Sequence, residues 1–226
     1  MRKARKKRRD VMSDIKAKKA LLFDLDGTLV NTKNLILTSF RYATSSVLGA
    51  SPSDEVMLDM IGIPLRYQMR KIDETHADEM LAAYREHNGR VHDELIQEFS
   101  GTAETLAKLT AAGYRLAVVT SKMSESALRD LRFFELDVFF EFVQGSDKTE
   151  RHKPDPDPLL AAAKTMGLTP EQCAYVGDSP YDMQAARAAG MCAVAALWGM
   201  FSRERLLEAG AQQEAASIEE LAVLFL

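Results

Sequence analysis

The chain has 226 residues, of which 46% are hydrophobic and 27% are charged, a composition that is ordinary for a soluble enzyme. Its length allows one large core with a small inserted domain. No apolar run approaches the roughly 18 residues that would indicate a membrane span, and no apolar segment of signal-peptide length follows the basic start. Cys173 and Cys192 stand in apolar segments, so we expect reduced thiols and a cytoplasmic protein.

The net charge of −4 is distributed unevenly along the chain. Residues 1–19 hold ten of the 29 basic residues but only two of the 33 acidic ones, so the rest has 19 basic and 31 acidic residues and a net charge of −12. This leader is either an arm for nucleic acid or anionic lipid, or a solvated and disordered segment. We expect the second, and Met12 is an alternative start because it leads directly into the first predicted strand.

Five apolar segments predict β-strands, at residues 20–25, 114–120, 138–144, 173–177 and 191–197. Their nearly continuous hydrophobicity is typical of strands covered on both faces of a parallel sheet. Helices are predicted between them, at residues 102–112, 123–136, 158–166 and 181–189. This alternation predicts a doubly wound, Rossmann-like α/β fold, in which ligands bind at the carboxyl ends of the strands.

The connection between the first two of these strands is far longer than a single crossover requires. It predicts four helices, at residues 35–48, 53–60, 64–72 and 77–99. We interpret residues 31–100 as a helical cap domain over the carboxyl edge of the sheet, where it could exclude water and select substrates. Residues 20–30 and 101–226 then form the core domain.

Polar residues follow the ends of the predicted strands. They are Asp24 and Asp26 after the first strand, Thr120 and Ser121 after the second, Lys153 after the third, and Asp178 and Asp182 after the fourth. Two carboxylates beside each other at the end of a buried strand are costly unless a cation or a reacting group compensates them. Hydroxyl groups, an ammonium group and carboxylates at one sheet edge are the components of a site for phosphate and a divalent cation.

Each motif also has a simpler explanation by itself. Residues 24–27 could begin a calcium loop, but the glycine comes too early and Leu35 stands where a bidentate glutamate is required. Thr120 could be a helix N-cap, Lys153 an exposed loop residue, and residues 177–180 a capped turn. The occurrence of all four in this order favours the phosphate site.

These four motifs, in this order and at this spacing, resemble the haloacid dehalogenase (HAD) superfamily of phosphohydrolases over about residues 20–226. The resemblance implies that Asp24 is the nucleophile that forms an aspartyl-phosphate. It implies that Asp26 protonates the leaving group and later deprotonates the attacking water. General acid–base help of this kind contributes about 10²–10⁴-fold to a rate.

The resemblance also implies the binding residues. Thr120 and Ser121 would bind the transferring phosphoryl group, and Lys153 would neutralise charge between it and the nucleophile. A Mg²⁺ cofactor is implied, with Asp182 supporting it from close by. The implied metal-binding residues are Asp24, Asp26 through its backbone carbonyl, and Asp178.

The cap segment is most similar to bacterial inorganic pyrophosphatases of the phosphoglycolate-phosphatase-like group. Asn31 replaces the aspartate that is usual in phosphoglycolate phosphatases, which favours pyrophosphate as the substrate. Alternatives are a phosphatase for phosphoglycolate or another small sugar-phosphate monoester, a mutase, and a non-catalytic regulator that binds a phosphorylated partner. Candidate contacts to a leaving phosphate, each otherwise a solvated residue, are Arg66, Arg70, Arg85 and Lys122.

The remaining motifs indicate no further cofactor. The four histidines (residues 76, 87, 92 and 152) have no metal-ligand spacing, and there is neither a dinucleotide fingerprint nor a P-loop. We expect a monomer that binds a small phosphorylated substrate or pyrophosphate, with nucleic acid relevant only through the basic leader.

Overall fold

The computed structural model describes residues 15–226, and its centre is a six-stranded sheet. The sheet strands are β1 (Ala20–Phe23), β4 (Arg115–Val119), β5 (Val143–Gln144), β6 (Cys173–Gly177), β7 (Cys192–Ala196) and β8 (Gln213–Ala215), and two others, β2 (Val30–Asn31) and β3 (Gln97–Glu98), pair separately. The sheet order is β5-β4-β1-β6-β7-β8, with every neighbouring pair parallel. The predicted doubly wound α/β fold is therefore confirmed.

Six helices that lie wholly within the described residues cover the two faces of the sheet. They are α5 (Thr102–Ala111), α6 (Ser124–Phe133), α7 (Asp157–Thr165), α8 (Pro180–Ala189), α9 (Arg203–Glu208) and α10 (Ile218–Phe225). Leu22 of β1 packs with α7, α8 and α9 on one face, whereas Leu21 and Phe23 pack with α5, α6 and α10 on the other. Because successive side chains of a strand point to opposite faces, this double burial explains the continuous hydrophobicity of β1.

Four further helices form what we call the helical insert, residues 33–95. They are α1 (Lys33–Leu48), α2 (Asp54–Leu58), α3 (Leu65–Ile72) and α4 (Ala77–Leu95). Phe40 of α1 and Tyr84 of α4 meet edge to face with ring centroids 5.4 Å apart. The chain enters and leaves the insert through the antiparallel pair β2–β3, in which Val30 pairs with Glu98.

The third predicted strand and the last predicted helix of the insert are shorter in the structure than the sequence indicated. The third predicted strand shrinks to β5 at an edge of the sheet, and a 3₁₀ turn, Asp137–Phe139, precedes it. Phe140 follows this turn, is partly buried and packs against Phe23 with ring centroids 6.1 Å apart, so contact with the core accounts for the aromatic residue without a strand, whereas Val138 is exposed. Helix α4 ends at Leu95 rather than at residue 99, because residues 97–98 pair with the entering chain instead.

No helix within the described residues is long and apolar enough to cross a membrane. The expectations for the greater part of the basic leader, including Met12 as an alternative start, lie outside the described residues.

Candidate active site

The sheet places the first and fourth motifs side by side, because β1 lies between β4 and β6. The backbone N–H of Asp24 donates to Val176 O of β6 at 2.9 Å, which extends the ladder by one residue beyond β1. Gly27 then adopts φ 80°, and a Cβ at that position would lie 2.2 Å from Asp178 Oδ2. Only glycine therefore allows the first loop to approach Asp178 this closely.

Lys153 is buried among acidic groups, with 2% of its surface exposed. Its Nζ lies 2.7 Å from Asp182 Oδ1 and 3.1 Å from Asp24 Oδ1, and it donates to the Tyr175 hydroxyl at 3.0 Å. Burial alone would lower the pKa of Lys153, but the charges of Asp182 and Asp24 outweigh it and raise the pKa. Lys153 is therefore a permanent positive charge beside the carboxylate of Asp24.

Asp182 has its oxygens occupied by the protein. Its Oδ2 accepts from the backbone N–H of Ser179 at 2.9 Å and from the Ser179 hydroxyl at 2.7 Å, a capping box at the start of α8. Its Oδ1 accepts from Lys153, so the carboxylate orients the lysine and the loop around it.

Asp178 completes an acidic cluster with Asp24 and Asp182, in which one oxygen of each carboxylate lies within 4.8 Å of the others. Its two oxygens accept from the Thr28 hydroxyl at 3.2 Å and from the backbone N–H of Met200 at 2.7 Å. Burial and the neighbouring carboxylates raise the pKa of Asp178 well above its usual range, and burial raises the pKa of Asp24 to about 7.

This cluster fits a divalent cation. Asp24 Oδ1 is buried and accepts no well-aligned hydrogen bond, although Lys153 is within ion-pair distance. Closely spaced carboxylates that burial drives toward protonation regain their charge when a cation binds between them. Hard oxygen donors of this kind suit Mg²⁺ and other divalent ions.

Asp26 faces a different cation. Its Oδ1 lies 2.9 Å from Lys122 Nζ, which also contacts Asp130 Oδ2 at 2.5 Å. Burial alone would lower the pKa of Lys122, but the charges of Asp26 and Asp130 raise it, so the lysine stays charged. Lys122 therefore serves two carboxylates and adds no net positive charge to the site.

The hydroxyl residues of the second motif lie at the same edge. Thr120 is 5% exposed, and its Oγ1 accepts from the backbone N–H of Lys122 at 3.2 Å. The Ser121 hydroxyl donates to Gly62 O of the helical insert at 2.6 Å. The second motif thus joins the sheet edge to the segment between α2 and α3.

A cavity of about 590 Å³ lies between the sheet edge and the helical insert. Of the predicted site residues, Asp24, Asp26, Thr120, Ser121 and Asp178 line it, whereas Lys153 and Asp182 stand behind them. Of the predicted cap contacts, Arg66 and Arg85 line the cavity, whereas Arg70 lies outside it, 3.7 Å from Glu74.

The family model of haloacid dehalogenase-like hydrolases matches residues 21–196, which include every predicted site residue. The chain belongs to the haloacid dehalogenase-like hydrolases. The family assignment that the motifs indicated is thereby confirmed, as is the expectation of a hydrolase.

Similar proteins agree with this membership. A Caldanaerobacter subterraneus protein with the provisional name pyrophosphatase PpaX is 40% identical over 187 residues, which are 83% of this chain and 85% of that protein. Pyrophosphatase PpaX of Halalkalibacterium halodurans is 37% identical and covers 76% of this chain and 80% of its own. A crystal structure described as a predicted phosphoglycolate phosphatase from Haemophilus somnus superimposes with a TM-score of 0.81 at 26% identity, over 93% of this chain and 99% of that one.

Three residues of this hydrolase's site were missed by sequence reasoning. The Tyr175 hydroxyl accepts from Lys153 and donates to Val119 O at 2.7 Å. Its position inside an apolar strand predicts only a residue of the hydrophobic core. Asp130 and His92 are 1% and 2% exposed and lie on helices, where polar residues usually face solvent. A charged residue at an inward position of α6 was the one available signal for Asp130.

Proposed function

We propose that this hydrolase is a Mg²⁺-dependent inorganic pyrophosphatase that acts through an aspartyl-phosphate on Asp24. The observation that carries the proposal is the buried carboxylate of Asp24, held between the Lys153 ammonium and Asp178 and open to the cavity. A cytoplasmic location and a role of residues 31–100 as a cap domain belong to the same proposal.

In the first step, a carboxylate oxygen of Asp24 forms a bond to phosphorus while the bond to the leaving oxygen breaks. Lys153 reduces the repulsion between the incoming anion and the nucleophile, and its charge opposes the protonation of Asp24 that burial favours. Thr120 and Ser121 supply donors for the transferring phosphoryl oxygens, provided that the Ser121 hydroxyl exchanges its contact with Gly62 O for the substrate.

Asp26 is the proposed proton carrier. It donates a proton to the leaving oxygen in the first step, and in the second it accepts a proton from the water that attacks the aspartyl-phosphate. The 2.9 Å contact with Lys122 restrains its carboxylate at the cavity wall. Two displacements replace one difficult attack by water on a polyanion.

The proposed cation site consists of Asp24, Asp178 and the backbone carbonyl of Asp26. Mg²⁺ bound there would supply positive charge for the phosphoryl oxygens during transfer. Asp182 acts on this site indirectly, through Lys153 and the Ser179 loop.

Pyrophosphate is favoured as substrate by the curated relatives named PpaX and by cations on the insert side of the cavity. Lys122 is already matched by two carboxylates, and Arg70 lies outside the cavity wall. Arg66 and Arg85 are therefore the predicted cations that remain for a second phosphate group.

Two other functions are tested by the same experiment. A phosphatase for phosphoglycolate or another small sugar phosphate would use the same core residues, as the Haemophilus relative's description indicates for that protein. A non-catalytic regulator that binds a phosphorylated partner would have no need of Asp26 as a proton carrier.

The experiment is a set of steady-state rates with Mg²⁺ on pyrophosphate, phosphoglycolate and several sugar phosphates. We expect kcat/KM for pyrophosphate to exceed the others by about tenfold or more, which corresponds to about 1.4 kcal/mol of transition-state binding. A higher value for a monoester would favour the phosphatase, and binding without turnover of any compound would favour the regulator.

We expect the Arg66→Ala variant to raise KM for pyrophosphate about tenfold and to change KM for a small monoester little, because a monoester has no second phosphate to contact. Arg70→Ala is the matched control, since it removes the same charge from the same helix α3 outside the cavity wall. Equal changes in KM for both substrates would contradict a direct contact between Arg66 and the leaving phosphate.

A further inference from the structure

A continuous row of charged side chains joins the helical insert to Asp26. Lys122 Nζ contacts Asp26 and Asp130, and Asp130 Oδ1 lies 2.9 Å from Nε2 of His92 on helix α4. Asp130 is 1% exposed and His92 is 2% exposed. Other pairs also join the insert to the rest of the described residues, but Arg129–Asp93 and Arg205–Asp59 are both exposed.

The surroundings of His92 favour its charged form. Its Nδ1 lies 2.6 Å from Asp93 Oδ1 while its Nε2 faces Asp130, and only an imidazolium has hydrogens on both nitrogens to donate. The hydrogen bond with Asp130 is the largest cause of a raised pKa for His92, and burial and the nearby Arg129 oppose it. Lys122 lies beyond Asp130, so the charges alternate in sign along the row of Asp26, Lys122, Asp130 and His92.

Lys122, Asp130 and His92 therefore each have an oppositely charged partner on both sides. Without the positive charge of His92, Lys122 would be the remaining cation beside the whole Asp130 carboxylate. The ammonium group, which already contacts Asp130 Oδ2, would then be drawn from Asp26 toward Oδ1 of Asp130, and Asp26 would lose the contact that restrains it. A buried charge that loses one partner commonly costs more than the pair contributed.

We propose that His92 and Asp130 are positioning residues that hold Lys122 against Asp26. The contact between helix α4 and helix α6 then fixes the position of the proton carrier, Asp26. This inference rests on the proposed role of Asp26. It assigns the insert a part in the chemical step besides any contact with the substrate.

The His92→Gln variant tests this with two phosphate monoesters of different leaving groups. An alkyl phosphate needs a proton on its leaving oxygen, whereas p-nitrophenyl phosphate releases a stable anion without one. We expect His92→Gln to lower kcat/KM, which reports the transfer of the phosphoryl group to Asp24 and not the later hydrolysis, by about tenfold or more for the alkyl phosphate and by less than about threefold for p-nitrophenyl phosphate. A purely structural role would lower kcat/KM for both monoesters alike and would overturn the inference.

His87→Gln is the matched control. His87 lies on the same helix and is 8% exposed, but its partners, Ser39 at 3.3 Å and the stacked ring of Tyr42, both belong to helix α1 of the insert. We expect this variant to leave the ratio of the rates on the different substrates unchanged. A shift of that ratio as large as the one in His92→Gln would also contradict the inference.

A double-mutant cycle with Asp26→Asn provides the second readout. If His92 acts through Asp26, adding His92→Gln to the Asp26→Asn variant changes the residual p-nitrophenyl phosphate and alkyl phosphate rates little. Additive losses of rate in the double variant would show that His92 does not act through Asp26. A wild-type enzyme inactive on every phosphate compound would instead overturn the proposed function itself, which keeps the two failures distinguishable.

Discussion

We expect the Asp24→Asn variant to lose turnover of pyrophosphate by about 10⁴-fold or more, because the amide has no free electron pair on an anionic oxygen to attack phosphorus. The side chain keeps its shape, so the cavity and the contact with Lys153 should persist. Acid-quenched enzyme from a reaction with ³²P-pyrophosphate should carry alkali-labile label in the wild type and more of it in Asp26→Asn. Asp24→Asn should carry none.

Asp155→Asn is the control for this variant, since Asp155 is an exposed aspartate that does not line the cavity. We expect its rate to equal that of the wild type within about twofold. Undiminished activity in Asp24→Asn, or label that survives in it, would contradict the role of Asp24 as the nucleophile.

The second large effect is expected for Lys153→Met, both on folding and on activity. Removing this cation leaves Asp24 and Asp182 buried without their shared partner, and breaking a buried pair costs about 3–5 kcal/mol of unfolding free energy. The loss of the positive charge beside the nucleophile Asp24 should lower kcat by about 10²–10³-fold or more. Urea unfolding and steady-state rates at neutral pH measure the two effects.

Lys148→Met is the control for Lys153→Met, because it makes the same substitution at an exposed lysine. Lys148 is exposed and pairs with Asp147 at 3.1 Å, so we expect a change in unfolding free energy of about 0.5 kcal/mol or less. The double variant Lys153→Met/Asp182→Asn should regain part of the lost stability, because it also removes one of the unpaired charges. A loss in Lys153→Met no larger than in Lys148→Met would contradict the buried network.

Most of the sheet could be predicted because the hydrophobic pattern of its inner strands is visible in the sequence. Strands β1, β4, β6 and β7 are covered on both faces, so each is a continuous apolar run. Strand β8 was missed because Gln213–Ala215 has no such pattern and pairs only at the edge, beside β7. Helices α9 and α10 were missed with it, since the prediction stopped at the last apolar strand.

The candidate site could be predicted in part for a related reason. The motif residues follow strands, and a parallel sheet brings the carboxyl ends of its strands to one edge. Asp130 and His92 follow no strand, and their pairing depends on how helix α4 lies against helix α6. No local pattern of residues encodes that relation.

The sequence by itself determined which functional groups reach the site: two aspartates after the first strand, hydroxyls after the second, a lysine after the third and carboxylates after the fourth. These positions are set by local patterns of hydrophobicity and by glycine at the turn. The tertiary structure alone decided how the charges are shared, with Lys153 between Asp24 and Asp182, and Lys122 between Asp26 and Asp130. The physical reason is distance along the chain: Lys122 is 96 residues from Asp26, and only the packing of the insert, the helices and the strands brings such charges into contact.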